Sequence, residues 1–272
     1  MTEKKPNLRD HCATAQDFYN NNYDGDLGRR LIHNNGDWWW WHNPHWEQQE
    51  DAGVRASIWG YLAPNAPKKG DVDGALDALK AVSYEPSSSR APCWLREVEG
   101  QPPAGDIIPC NNGLLDIRTK TLYDLTPDFF NVNYLPINFN DYYDPPVDWY
   151  RFLNSIWPED PESISCLQEI FGYLLTQDTG QHKMFLLIGP KRSGKSTIAR
   201  VLTRLLGASN VCNPTLNGLV STAYGLECMI GTQLAIIGDA RLGPRADQQT
   251  IAETLLGISG EDSQTIQRKY KT

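Results

Sequence analysis

The residues with the clearest chemical potential form the segment Gly189-Pro-Lys-Arg-Ser-Gly-Lys-Ser-Thr197, which fits the Walker A pattern GxxxxGK[ST]. Glycines let backbone N–H groups approach phosphate oxygens, and a helix that starts at the end of such a loop adds a favourable dipole. Lys195 is placed to reach the β- and γ-phosphates and to serve catalysis, and the Ser196 hydroxyl to ligate Mg²⁺. The sequence therefore predicts an ATP–Mg²⁺ site. Its nucleotide-binding residues are Gly189, Pro190, Lys191, Arg192, Ser193, Gly194, Lys195, Ser196 and Thr197.

A second motif follows about forty residues later. The apolar run Leu234–Ile237 and Gly238 end at Asp239, as in a Walker B strand, and Asp239 is the predicted metal ligand and second catalytic residue. Gly238 and Ala240 flank it, so no neighbouring carboxylate is available to polarise the attacking water. Glu253 is a candidate for that role, and its alternative is a solvated helix glutamate.

Cations near the end of the sequence form a third candidate site. Arg268, Lys269 and Lys271 follow the acidic pair at 261–262 and predict contacts with a DNA phosphate backbone; the alternative is a basic end in solvent. The net charge of −8 is unevenly distributed. Residues 183–272 hold 11 Lys/Arg and 6 Asp/Glu, whereas residues 1–182 hold 14 and 27. The two parts therefore favour different partners.

The elements that must position these residues are strands alternating with helices, which predicts an α/β core. The wholly apolar run Met184–Ile188 predicts a buried parallel strand, and Leu234–Ile237 predicts a second one. A helix is expected at 196–206, with Ile198, Val201, Leu202 and Leu205 on one face, and another at 248–258.

The first 180 residues predict shorter elements. A strand, a turn at Asn34–Asp37 and a second strand are expected up to about Trp46, and a hairpin at 107–125. Pro136–Pro146 predicts a linker in which Tyr142 and Tyr143 make packing contacts. The remaining segments are predicted as helices at 72–83, 147–157 and 165–175, and a loop at 84–109.

The order of these motifs resembles superfamily 3 helicases, and more closely the phage and poxvirus-type primase-helicases. DARLG (239–243) and ETLLGISGEDSQTIQRKYK (253–271) are similar to their Walker B and B-prime motifs. In the front part, IIPCNNGLLDIRTKTLYDLTPDFF (107–130), LQEIFGYLLTQD (167–178) and the tryptophan-rich hairpin carry the similarity, which spans about 25–272.

The resemblance implies an α/β P-loop core of AAA+ type, preceded by an α+β accessory domain. The expected domains are 1–140 (accessory), 141–180 (helical connector) and 181–272 (partial ATPase core). The implied function is an ATP-dependent DNA helicase of phage, plasmid or virus replication. It would act as a hexameric ring on single-stranded or forked DNA, in the cytoplasm of a bacterial host.

The resemblance also implies that parts are missing. The family sheet runs in the order 5-1-4-3-2, and this chain supplies strand 1 (184–188), strand 2 (211–215) and strand 3 (234–239). The sensor asparagine and the arginine finger of the family would follow Thr272. We therefore expect an N-terminal fragment that binds nucleotide but does not turn it over.

Two other function classes remain open on the sequence. One is a P-loop switch or packaging motor that does not unwind DNA, and the other is a non-catalytic nucleotide- or DNA-binding module. The six scattered cysteines favour reduced thiols, and no apolar stretch approaches the ~18 residues of a membrane span. His42 and His45, beside Trp38–Trp41, suggest a metal pair or a base-stacking platform, with a tryptophan core as the alternative.

Overall fold

A computed structural model of the chain describes residues 9–25, 28–140, 142, 144–221, 224–238, 240, 247–262 and 266. The chain forms two compact units, residues 1–104 with 123–132 and residues 105–122 with 133–272. The predicted domain boundaries at 140 and 180 do not coincide with this division, and they remain predictions. Among the described residues, no helix has both the length and the apolar character that crossing a bilayer requires.

The helices and strands in chain order are α1 (His11–Asn22), β1 (Leu31–Asn34), β2 (Asp37–His42), β3 (His45–Gln49), α2 (Asp51–Leu62), α3 (Lys69–Val82), β4 (Tyr84–Glu85), β5 (Cys93–Trp94), β6 (Ile107–Cys110), β7 (Gly113–Asp116), β8 (Leu122–Tyr123), β9 (Phe129–Phe130), α4 (Val147–Ile156), α5 (Pro161–Leu175), α6 (Lys195–Leu206), β10 (Val211–Cys212), α7 (Leu216–Ser221), β11 (Leu234–Ala235) and α8 (Gln248–Ser259).

A four-stranded sheet and three helices make up most of the first unit. The strands lie in the order β3-β2-β1-β4, with β4 parallel to β1 and the other pairs antiparallel. Asn35 and Gly36 join β1 to β2 with positive φ angles of 55° and 85°, the conformation of a two-residue hairpin turn. The predicted turn is therefore confirmed. The third strand, β3, and the short strands β4 and β5 in the predicted loop were not anticipated.

The run of four tryptophans in β2 contributes to two cores. Successive side chains of a strand point to opposite faces of the sheet. Trp38 accordingly packs with α1, α2 and α3, whereas Trp41 packs with Trp46 of β3 and Phe130 of β9. Trp38, Trp41 and Trp46 are all buried. The alternative interpretation of the four tryptophans as core is therefore confirmed for Trp38 and Trp41, whereas Trp40 is exposed.

The second unit contains the sheet β6-β7-β8, the parallel pair β10–β11 and helices α4 to α8. The predicted hairpin at 107–125 is confirmed, because β7 and β8 are adjacent strands on either side of Thr119 and Lys120. Strand β6 pairs antiparallel with β7 across Asn111 and Asn112. The predicted helices at 147–157, 165–175, 196–206 and 248–258 are confirmed as α4, α5, α6 and α8.

The prediction of a buried strand at Met184–Ile188 is wrong for the described structure. This segment has no regular secondary structure, and its five side chains are 40% to 86% exposed. A strand persists only when its backbone groups are paired with a neighbour, and no described strand pairs with this segment. Phe185 in this segment makes an edge-to-face contact with Tyr173, with ring centroids 6.1 Å apart.

The predicted packing role of the linker tyrosines fails at Tyr142, whose surface is 83% exposed. Tyr143 lies outside the described residues. Prolines at 145 and 146 follow directly and restrict the backbone before α4. The aromatic ring of Tyr142 is left in solvent, although its residue type favours burial.

Two buried tryptophans allow a matched test of the first unit's core. Trp46 donates from Nε1 to the carbonyl oxygen of Phe129 at 3.2 Å, whereas Trp41 Nε1 is buried without an acceptor among the described residues. Trp46→Phe removes a hydrogen bond, and Trp41→Phe removes an unpaired polar group. We expect Trp46→Phe to lower the free energy of unfolding by about 1–3 kcal/mol more than Trp41→Phe.

Urea unfolding followed by far-UV circular dichroism measures this difference. Equal losses in the two variants would mean that the bond to Phe129 contributes nothing to stability.

Candidate functional site

The loop before α6 contains two residues in the left-handed backbone region. Arg192 and Gly194 both have positive φ angles, 63° and 86°. Gly194 is the residue from which α6 starts, and its carbonyl oxygen accepts hydrogen bonds from the amides of Thr197 and Ile198. Only glycine adopts this conformation without steric cost. The glycine at 194 is therefore required by the backbone itself.

Six consecutive backbone amides, those of residues 191–196, have no hydrogen-bond acceptor within the part of the chain that the structure describes. The amides of residues 195 and 196 belong to the first turn of α6, where no intrahelical acceptor exists. The helix dipole places partial positive charge at the same point. The loop therefore offers a series of donors to an anion such as a phosphate group.

Lys195 is held against the loop by its own ammonium group. Its Nζ donates to the carbonyl oxygens of Gly189 and Pro190, both at 2.8 Å, and to Ser193 Oγ at 3.2 Å. The side chain thus folds over the space that the loop encloses, while Lys191 and Ser196 are exposed. Carbonyl oxygens are weaker partners for an ammonium group than phosphate oxygens are. An entering phosphate would therefore compete well for Lys195.

Helix α4 contacts the loop at Gly194, and the sequence did not predict this contact. A Cβ atom built on Gly194 would lie 2.6 Å from Ile156 Cδ1 and 3.0 Å from Phe152 Cζ. The backbone at Gly194 therefore sits directly on two apolar side chains. The amphipathic pattern of α4 was the available signal, but it does not reveal which residue the apolar face contacts.

Helix α6 is fixed by three buried residues one turn apart, Ile198, Leu202 and Leu206. Ile198 packs with Leu153 of α4 and Leu167 of α5. Leu202 and Leu206 pack in a second cluster with residues of β6 and β10. The predicted apolar face is confirmed at 198 and 202. Helix packing on both sides therefore holds the start of α6, and with it the loop, in place.

The pair β10–β11 lies in the same unit and precedes the predicted metal ligand. The amide of Ile236 donates to the carbonyl oxygen of Cys212 at 2.9 Å, which extends the parallel pairing. Gln233 Nε2 donates to the carbonyl oxygens of residues 174, 175 and 176 at the end of α5. This anchor was not predicted, because a lone glutamine carries no spacing signal. Asp239 itself lies outside the described residues.

The three predicted DNA-binding cations, Arg268, Lys269 and Lys271, also lie outside the described residues. Glu253 is described: it is exposed on α8 and accepts from Gln249 Nε2 at 2.9 Å, one turn earlier. This environment is that of a solvated helix glutamate. Asp247 begins α8, and hydrogen bonds from the Thr250 hydroxyl and then its amide hold the pKa of Asp247 below its usual value.

His42 and His45 face each other at the end of the β2–β3 hairpin and share Glu47 as a partner. His45 Nε2 lies 3.4 Å and His42 Nδ1 lies 4.0 Å from Glu47 Oε1. Burial is the main cause that lowers the pKa of His45. Among the described residues, no group of three or more His, Cys, Asp or Glu side chains is arranged to hold a metal. The described structure therefore does not support the metal-pair interpretation.

Comparison with known proteins divides the chain into two matched regions. Residues 187–272 match a family of unknown function, DUF5906, and residues 17–158 match the model of the D5 N terminal like family. No curated protein matches the chain. The D5 N terminal like domain is the N-terminal region of phage and viral primase-helicase proteins. Because this model matches more than half of the chain, the protein belongs to the D5 N terminal like family.

Proposed function

We propose that this chain belongs to an ATP-dependent DNA helicase of phage, plasmid or virus replication, whose loop 189–197 binds the phosphates of ATP. The observation that carries the proposal is the series of six unbonded amides at the start of α6, with Lys195 folded over the loop. These donors and this cation are the groups that a nucleoside triphosphate needs. The association of the D5 N terminal like family with primase-helicases also supports a helicase function.

In this proposal, separate residues bind the phosphates and the magnesium ion. The amides of 191–196 and the Lys195 ammonium group hold the phosphates, and the exposed Ser196 hydroxyl is the magnesium ligand in the loop. Asp239 follows β11, and β11 is parallel to β10. That pairing is what adjacent strands 2 and 3 of the implied P-loop sheet require. The metal would supply charge neutralisation to the β- and γ-phosphates.

A non-catalytic nucleotide- or DNA-binding module is the second candidate. The exposed Met184–Ile188 segment favours it, because a phosphate loop on an unpaired segment is less rigidly held than one on a sheet strand. A P-loop switch or packaging motor would use the same loop. Stimulation of ATP hydrolysis by single-stranded DNA, measured on a full-length version, separates the helicase from the other two, and nucleotide binding without hydrolysis in that version identifies the binding module.

Lys195→Ala tests the nucleotide site, and Lys191→Ala is its matched control. Hydrogen bonds to charged groups contribute ~1.5–3 kcal/mol, so we expect nucleotide to bind about 10- to 100-fold more weakly in Lys195→Ala. Lys191 is exposed and makes no described contact in the loop, so its removal should have a smaller effect. Titration with a fluorescent ATP analogue and Mg²⁺ gives both constants. Unchanged affinity in Lys195→Ala would refute the site.

Gly194→Ala tests whether the contact with α4 positions the loop. Alanine at this position must adopt a left-handed backbone conformation, which costs ~1–2 kcal/mol. Its methyl group also collides with Ile156 and Phe152. Gly207→Ala is the control at the other end of α6, because Gly207 has a similar φ of 88°. We expect both variants to lower the melting temperature, but only Gly194→Ala to weaken nucleotide binding by the folded protein.

Adding Ile156→Val to Gly194→Ala removes the Cδ1 atom at 2.6 Å and should restore part of the lost affinity. Equal nucleotide affinities in the Gly194→Ala and Gly207→Ala variants would show that the loop does not depend on this contact.

Neutralising Arg268, Lys269 and Lys271 to glutamine tests the DNA site. Each lost contact with a phosphate should reduce the salt slope of single-strand binding by about 0.7. The matched control neutralises Lys68, Lys69 and Lys120, which are exposed in the described structure and carry the same total charge. Fluorescence anisotropy over a salt series measures the slopes. Equal slopes in the two triple variants would place the DNA site elsewhere.

A further inference from the structure

An open cavity in the first unit takes no part in the proposed function. It lies between the end of α3, the turn after β1 and the edge strand β4, and its volume is about 680 Å³. Cavities of this size accommodate small molecules. The lining includes His33 of β1, Asp77 and Lys80 of α3, and Tyr84 and Glu85 of β4. The cavity therefore combines an aromatic ring, a cation and several hydrogen-bonding groups.

Tyr84 provides an open aromatic surface at this cavity. It pairs with His33 across β4 and β1, and His33 pairs with Trp38 of β2, so the three side chains lie in one row on the same face of the sheet. His33 contacts the buried Trp38 edge to face, with ring centroids 4.7 Å apart. Tyr84 ends the row at the sheet edge and is 61% exposed. Its ring is therefore available for stacking by a ligand.

The charged groups at the cavity differ in whether a partner already holds them. Glu85 lies 3.4 Å from Arg29, which offsets its charge. Lys80 Nζ lies 3.9 Å from Asp51 Oδ1, which is longer than a hydrogen bond, and the lysine side chain is 40% exposed. Asp77, three residues before Lys80 on α3, is exposed, and the described residues give it no ion pair. Lys80 and Asp77 are therefore both free to bind a ligand in place of water.

The imidazole of His33 adds a hydrogen-bond donor and an acceptor. Burial is the largest cause that lowers the pKa of His33, and the neighbouring Lys80 is the next. The ring is therefore mostly neutral at pH 7, so one ring nitrogen donates and the other accepts. Within the described residues, neither nitrogen has a hydrogen-bond partner. A polar ligand in the cavity can use both.

We propose that this cavity binds one nucleotide, either free or as a unit of a single strand. The base stacks on Tyr84, because an aromatic side chain offers a stacking surface to any base. The phosphate pairs with the Lys80 ammonium group. The Asp77 carboxylate accepts a hydrogen bond from a sugar hydroxyl or a base N–H group, and His33 bonds the base. The site is separate from the loop 189–197, so it can hold or fail independently of the proposed helicase function.

Photochemical cross-linking locates the site directly. One probe is 5-iododeoxyuridine monophosphate, and the other is a single-stranded oligothymidylate that carries one 5-iododeoxyuridine. Trypsin cleaves after Lys80 and Arg90, and Tyr84 is the one aromatic residue of the resulting peptide 81–90. Mass spectrometry should find the base attached to Tyr84 in this peptide.

The two probes distinguish the two sources of the nucleotide. Attachment of both probes supports a site for free nucleotide, whereas attachment of the oligonucleotide alone supports a site for a strand. The proposal is overturned if neither probe is attached to peptide 81–90.

Substitutions at Tyr84 test the stacking contact. Tyr84→Leu should weaken binding of the cross-linking probe about 5- to 100-fold, because it removes the stacking surface. Tyr84→Phe keeps the ring and should keep the affinity. Tyr142→Leu is the matched control, because Tyr142 is 83% exposed and belongs to the other unit. Equal losses in Tyr84→Leu and Tyr142→Leu would contradict a specific site.

Lys80→Gln tests the phosphate contact, and Lys69→Gln is its control at the exposed start of the same helix. We expect the probe to bind about 10- to 100-fold more weakly in Lys80→Gln and with little change in Lys69→Gln. Affinities are measured by fluorescence anisotropy in the triple glutamine variant of the DNA test, which removes the other predicted DNA contacts. Unchanged affinity in Lys80→Gln would refute the phosphate contact. Lys195→Ala tests the ATP loop separately, so failure of one site is distinguishable from failure of the other.

Discussion

The packing of α6 is the constraint on which the candidate site depends. Ile198, Leu202 and Leu206 are buried one turn apart, and they connect the α4–α5 cluster to the cluster with β6 and β10. Burying side chains of this size contributes about 1.5–3 kcal/mol each, which fixes the axis and rotation of the helix. The position of the six amides at 191–196 depends on this packing, because they lie at the start of the helix. A core interaction therefore determines where the donors lie.

The loop and the helix meet at Gly194, where two requirements coincide. The backbone needs a φ of 86°, and the side chains of Phe152 and Ile156 leave no room for a Cβ atom. A motif glycine is usually explained by the ligand that it admits. Here contact with Phe152 and Ile156 of α4 requires the same residue, so the conformation of the loop and the packing of α4 are linked through one position.

The second unit also contains two apolar runs, of which only one includes a strand. The run at 234–237 forms β11 because β10 provides a parallel partner, and Gln233 anchors its start to the end of α5. Met184–Ile188 is also wholly apolar, yet it is exposed and unpaired among the described residues. Composition was the same kind of signal in both, and the presence of a neighbouring strand decided the outcome.

Local patterns in the sequence determined most helices, the turn at Asn35-Gly36 and the glycine at the start of α6, because spacing and backbone conformation are properties of short segments. The candidate phosphate loop could be predicted for the same reason. Only the tertiary structure decided that Phe152 and Ile156 contact Gly194 and that Gln233 caps α5. These contacts join residues that lie far apart in the sequence, so no periodic pattern of residue types predicts them. The burial of Trp41 and the exposure of Met184–Ile188 were decided in the same way, because burial requires a partner surface that one segment cannot supply.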